Sequence, residues 1–222
     1  MKTKLVFVFF VAFAFGCKAQ DIDFNQYLNN FGNVNLPILS SDTETWKMVF
    51  NQEYDNIHGR TYKSVSEKYV KKYICTDGNF NSNMKYYIRY DYGVKIDISN
   101  NFYTVLLSKL QYEGNSEWDY DLTEDLLITY TKSGKMLSTK SLTKDNGDRW
   151  QSNLTIKKDK VIVQQIKNTA LKVSLEKIMP CEVWSTEYQI SDTGIIGVKN
   201  TILKKIGKIK WNKKLLKYEL VN

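Results

Sequence analysis

The sequence predicts a mainly β protein laid out as an antiparallel meander, and three observations carry that reading. Fifteen tyrosines, ten phenylalanines and five tryptophans in 222 residues favour strands, where aromatic and β-branched side chains pack on a pleated surface. From about Met84 onward, short runs of alternating polarity replace helical spacing. Turn signals between those runs are frequent and little helix separates them, which favours hairpin connections over parallel crossovers. A barrel, a sandwich and blade-like sheets all satisfy this pattern.

Before the strands come one or two short helices. In DIDFNQYLNNF (residues 21–31), Phe24, Tyr27, Leu28 and Phe31 fall at helical spacing, with Asp21 at the start and Gly32 just past the end. Leu36-Pro37 then interrupts the pattern. In SVSEKYVKKYI (residues 64–74), Ser64 and Glu67 have the spacing of a capping box, ahead of Val65, Tyr69, Val70 and Tyr73.

The strands follow in order. MKYYIRYDYGVKIDI places Tyr86, Ile88, Tyr90 and Tyr92 on one face and Tyr87, Arg89 and Asp91 on the other. FYTVLLSKLQY, DLLITYT, the turn KSGK and MLSTKSL read as hairpin members. NLTIKKDKVIVQQI turns at Lys158 to Lys160, EVWSTEYQI ends in Asp192-Thr193-Gly194, and KIKWNKKLLKYELV reads as a last hairpin. Eight to eleven strands are expected.

The first twenty residues carry a different signal. Lys2 and Lys4 precede an apolar run of eleven residues, Leu5 to Phe15, and small Gly16 stands directly before Cys17. A helix crossing a bilayer needs about 20 apolar residues, so the run reads as a cleaved secretory signal. Here the chain resembles bacterial lipoproteins, whose signal ends in a small residue and a cysteine. Gly16 and Cys17 match those positions, Ala14 is compatible with the family's pattern, and Phe15 departs from it. The resemblance covers residues 1–20 only. It implies a diacylglyceryl thioether on Cys17, cleavage before it, acylation of the new amino group with a fatty acid such as palmitate, and, with Lys18 rather than Asp next, sorting to the outer membrane. A second acyl chain is what makes such an anchor stable.

The expected organisation is a signal peptide over 1–16, a lipidated N-terminus with a short helix over 17–35, and a single β-rich domain over 36–222. The 206 residues left after cleavage are enough for a substantial core. Two prolines, eleven glycines and 42% apolar residues exclude a low-complexity or disordered polymer. With Cys17 as anchor, Cys75 and Cys181 remain; an oxidising envelope allows a disulfide between them, and two buried free thiols is the alternative.

The formal charge is +8, and from residue 194 to 222 eight lysines face the single acid Glu219. Such a stretch can attract anionic lipid or acidic polysaccharide. It equally describes solvated lysines guarding terminal strand edges. No RNP or zinc-finger pattern supports a nucleic-acid partner.

Residue types that carry chemistry are sparse. His58, the one histidine, lies in a polar turn without a nucleophile signature such as GxSxG. One histidine and two scattered cysteines lack zinc-ligand spacing, so no metal or cofactor is expected. The acidic run EWDYDLTED supplies Glu117, Asp119, Asp121, Glu124 and Asp125. It lacks the glycine and glutamate of a calcium loop, but two carboxylates suffice for glycoside hydrolysis. The tyrosine-rich strand and the tryptophans are either core or a sugar-stacking platform. The reading that results is a lipid-anchored envelope lipoprotein that binds an envelope protein or a glycan without catalysis. A carboxylate-dependent glycan hydrolase and an immunity or inhibitor lipoprotein are the alternatives.

Overall fold

A computed structural model describes residues 22–39, 53–55, 59–61, 63–75, 86–113, 120–145, 150–213 and 217–221. Helix α1 spans Ile22–Leu28, followed by β1 (Gly32–Val34), β2 (Ile38–Leu39) and the small hairpin β3 (Glu53–Asp55) and β4 (Gly59–Thr61). The helical turn α2 (Glu67–Tyr69) widens directly into a π-helical turn, Val70–Ile74. The long strands are β5 (Tyr86–Ile96), β6 (Phe102–Glu113), β7 (Tyr120–Thr131), β8 (Met136–Ser141), β9 (Trp150–Ile156), β10 (Val161–Asn168), β11 (Met179–Ile190), β12 (Ile196–Asn212) and β13 (Lys217–Val221). The fold is mainly β, with a curled antiparallel sheet resembling half a barrel and two short helical segments ahead of β5.

Two sheets form the body. The first runs β1-β5-β6-β7-β8 and the second β13-β12-β11-β10-β9-β2. Every pairing within them is antiparallel except β1 with β5, so the expected meander is the observed topology.

The first sheet is covered on both faces. Tyr90 and Tyr92 of β5, Val105 and Leu107 of β6, and Ile128 and Tyr130 of β7 join one buried cluster with α1 and the π turn. Val94 and Ile96 of β5, with Leu106 and Leu127, belong to a second cluster on the other face, packed against β2, β9 and β10. Strict alternation would put Tyr92 and Val94 on the same side. The register shift between them makes Gly93 an extra residue that reverses the parity of β5. One strand therefore serves two cores.

The second sheet is also used on both faces. Leu154, Ile156, Val161 and Val163 face the first sheet. Ile166, Met179, Cys181, Ile209 and Tyr218 form a third cluster on the opposite face, as the unbroken register of β9, β10 and β11 requires. The sheet curls over this third cluster, and Gln151 of β9 bonds both backbone groups of Tyr218 in β13.

Helix α1 forms where the spacing predicts it, because Phe24, Tyr27 and Leu28 all point into the first cluster. Phe24 stacks near Tyr73 and Tyr130, and Tyr27 near Tyr73 and Tyr92. Asp23, in the first turn, receives Lys68 at 2.6 Å and Lys72 at 2.9 Å, which ties α1 to α2 and lowers its pKa. α1 and β1 both precede residue 36, yet both belong to the body.

The second helix departs from expectation at its start. Ser66 occupies the N-cap position and makes no side-chain cap bond. Ser64 instead sits in a bridge with Asp91, where Val65 N donates to Tyr90 O and Tyr92 N donates to Lys63 O. Extended pairing with β5 takes Ser64 away from the helix and turns its hydroxyl to a carboxylate.

Candidate functional site

The acidic run divides at β7. Glu117 and Asp119 lie outside the described residues, as do His58 and Cys17. Asp121 lies in β7, at the register shift between the Gln111 and Tyr112 pairings. Glu124 and Asp125, being consecutive in a strand, project to opposite faces.

Glu124 is opposite Lys109 on β6 and pairs with it at 3.0 Å. This is a cross-strand ion pair of the kind that steadies a sheet by a few tenths of a kcal/mol up to about 1. Asp125 faces inward and is buried. Ser108 Oγ donates to its Oδ1 at 2.9 Å and Thr143 Oγ1 to its Oδ2 at 2.7 Å, while Asp125 N donates to Thr143 Oγ1 at 2.9 Å. Burial raises this carboxyl from its ordinary 3.8 to about 6, against the opposing pull of the Thr143 and Ser108 hydrogen bonds.

The register extends this arrangement into a row across the sheet. Asp91 is opposite Ser108, which is opposite Asp125, and Ser64 bridges to Asp91 on the far side. Asp91 is fully buried; it accepts from Ser64 Oγ at 2.9 Å and from an Arg89 nitrogen at 3.0 Å. Burial raises its pKa, and Arg89 and Ser64 offset part of that rise. Ser64, Asp91, Ser108, Asp125 and Thr143 thus form a polar row across three strands and both flanking segments, in which Ser64 bonds Asp91 while Ser108 and Thr143 bond Asp125, and the register aligns the two groups.

That row binds the structure internally. Its two carboxylates and Ser108 are hidden from solvent, so no polymer can be laid across them. Glu124, on the opposite face, cannot converge with Asp125. Among the described residues no group of three or more His, Cys, Asp or Glu side chains is placed to hold a metal ion. The alignment of Asp91 with Asp125 was invisible in the sequence, because 34 positions separate them and only the strand register brings them into line.

The two cysteines do not pair. Cys75 and Cys181 are both free thiols. Cys75 follows the π turn and packs on the helix side of the first sheet, with Sγ 3.4 Å from Tyr90 Oη. Cys181 lies in the third cluster, on the far face of the second sheet. Both sheets stand between them, so the expected disulfide is replaced by two separately packed thiols. Burial raises the Cys181 pKa, partly offset by the Gly207 backbone.

The aromatic side chains divide between core and half-open surface. Tyr90 and Tyr92 are buried beneath α1, and Tyr130 donates to Tyr73 O at 2.8 Å with Tyr27 Oη 3.2 Å away. Trp150 and Trp184 stack at 5.4 Å on the second sheet and are half-buried. Lys167 stands over Trp150.

Among the described residues no helix is long and apolar enough to cross a membrane. No family model matches the chain, and neither a curated protein nor a solved structure matches it.

Proposed function

We propose that this chain is a lipid-anchored protein of the bacterial cell envelope, held in the outer membrane through Cys17, and that it binds an envelope partner or a glycan without catalysing a reaction. The anchor reading rests on Lys2, Lys4, the apolar run and Gly16-Cys17. The observation that supports binding over hydrolysis is the placement of Glu124 and Asp125, the two carboxylates of the acidic run whose side chains are described. Glu124 is spent on Lys109 and Asp125 on Ser108 and Thr143, whereas a glycosidase needs two carboxylates facing one cleft about 5 to 9.5 Å apart.

An anchor at Cys17 leaves four residues before α1, and α1 is packed into the core. At no more than about 3.6 Å per residue, the five steps from Cys17 to Ile22 span at most roughly 18 Å. The body is therefore held close to the bilayer.

The test is intact mass and membrane fractionation of the chain expressed in a Gram-negative host, beside Cys17→Ser. A gain of acyl mass by the wild type alone, with pelleting that withstands a high-salt wash, is the expected result. Unlipidated protein released by that wash in both would overturn the reading.

A further inference from the structure

One end of the second sheet carries an unusual surface. The connection from β10 to β11 is a pinned loop: Ala170 N donates to Asn168 Oδ1 at 3.0 Å, and Ser174 N donates to Met179 Sδ at 3.1 Å. Ala170 and Val173 pack down on the third cluster, beside Trp211 of β12. With those two turned inward, Leu171, Leu175 and Ile178 turn outward, with relative exposures of 99%, 48% and 55%. A held loop that presents three large apolar side chains to water has no use for them within the fold.

The surroundings of that loop are basic. Lys172 and Lys177 lie within it and are exposed. Register places Lys208 opposite Pro180, just past the loop, and Lys210 two residues further along β12; both are exposed. Against these four stand the exposed acids Glu176 and Glu219. Apolar tips within a cationic rim match a bilayer surface, where the side chains enter the headgroup region and each nearby lysine gains from anionic lipid. A soluble polyanion would use the lysines and leave the leucines in water.

We propose that the β10–β11 loop, with Lys208 and Lys210 of β12, is a membrane-docking tip that inserts Leu171, Leu175 and Ile178 into an anionic bilayer surface. This deepens the envelope reading and rests on it for location, yet the contact itself needs no acyl chain. The purified Cys17→Ser chain therefore tests it separately from lipidation. It is expected to co-sediment with vesicles of phosphatidylglycerol and phosphatidylethanolamine, and not with phosphatidylcholine alone.

Replacing Leu171, Leu175 and Ile178 by serine should weaken that partitioning by about tenfold or more. Leu171→Ser alone, at a fully exposed position, should lower it by severalfold without disturbing the fold. Raising salt should weaken binding further, since the lysine contribution is screened. Absence of wild-type sedimentation with the anionic vesicles would overturn the proposal. So would serine variants that bind as well as the parent while dextran sulfate displaces both, which would make the surface a polyanion site.

Discussion

The side-chain amide of Gln151 acts as one more rung of the second sheet for Tyr218. Its Nε2 donates to Tyr218 O at 2.8 Å, and its Oε1 accepts from Tyr218 N at 2.6 Å. Gln151 lies on β9 and Tyr218 on β13, with β10, β11 and β12 between them in the sheet. A flat sheet could not bring these two together. The amide thus marks where the sheet has curled far enough to close over Ile166, Met179, Cys181 and Ile209.

Removing that amide should loosen β13 in particular. Gln151→Ala leaves the Tyr218 N–H and C=O without their side-chain partner in a partly buried setting, a loss of about 1–3 kcal/mol. Urea unfolding should report the destabilisation, and hydrogen exchange should show faster exchange in 217–221 than in β6 or β7. Uniform acceleration throughout the chain would show that Gln151 does not specifically hold the strand.

Asp125 should make stability depend on pH in the direction opposite to an ion-paired carboxylate. Its pKa is raised by burial from 3.8 to about 6, so between those values the folded chain holds a proton that the unfolded chain has released. Stability then falls as pH rises from about 4 through 6. The full interval corresponds to about 2–3 kcal/mol. Asp91, raised in the same direction and beside Arg89, adds to the trend. Asp125→Asn should therefore flatten, without abolishing, the decline in denaturation midpoint between pH 4 and 7. Parallel profiles for the two proteins would remove Asp125 from the account.

The parts of the fold that were legible in the sequence are those set by local rules. Phe24, Tyr27 and Leu28 announce α1 by spacing alone, and KSGK and Asp192-Thr193-Gly194 announce turns where Gly134 and Gly194 take positive φ. What required the structure was set by pairing between distant segments. Ser64 with Glu67 has capping-box spacing, but the bridge to Asp91 claims the hydroxyl. Gly93 looks like a weak point in an alternating strand, and its role as a parity switch depends on Leu106 and Leu107 opposite. Glu124 and Asp125 read as one acidic cluster in the sequence; a strand separates them by definition, and only the depth of each face shows which is buried. The pairing of Cys75 with Cys181 failed for the same reason, since composition cannot tell which side of which sheet a thiol occupies.

The separation of those thiols predicts their chemistry. Denatured without reductant, the Cys17→Ser chain should titrate two thiols, and its electrophoretic mobility should not change on reduction. In the native state Cys181 should label slowly, because it is buried and its thiolate is disfavoured. Cys75, half-exposed, should label first. A chain with no titratable thiol after denaturation would mean that the Cα atoms of Cys75 and Cys181 come within about 7 Å of each other, and that the two sheets do not stand between them.

The sharpest local test is at Gly134, where two independent requirements coincide. Its φ of +89° lies in the region that side chains with a Cβ avoid, and a Cβ built there would stand 2.7 Å from Cγ of Phe24. Phe24 is held by Tyr73, Tyr103 and Tyr130, so its ring cannot swing aside without disturbing the first cluster. The backbone strain of Gly134→Ala alone costs about 1–2 kcal/mol, and the contact with a packed ring adds to it. Pairing the substitution with Phe24→Leu separates the two. If the clash matters, Gly134→Ala should cost less in the Phe24→Leu background than in the wild type, read as the change in urea midpoint across the double-mutant cycle. Equal costs in both backgrounds would assign the whole effect to the turn, and would mean that α1 sits less tightly on the β7–β8 hairpin than the 2.7 Å approach requires.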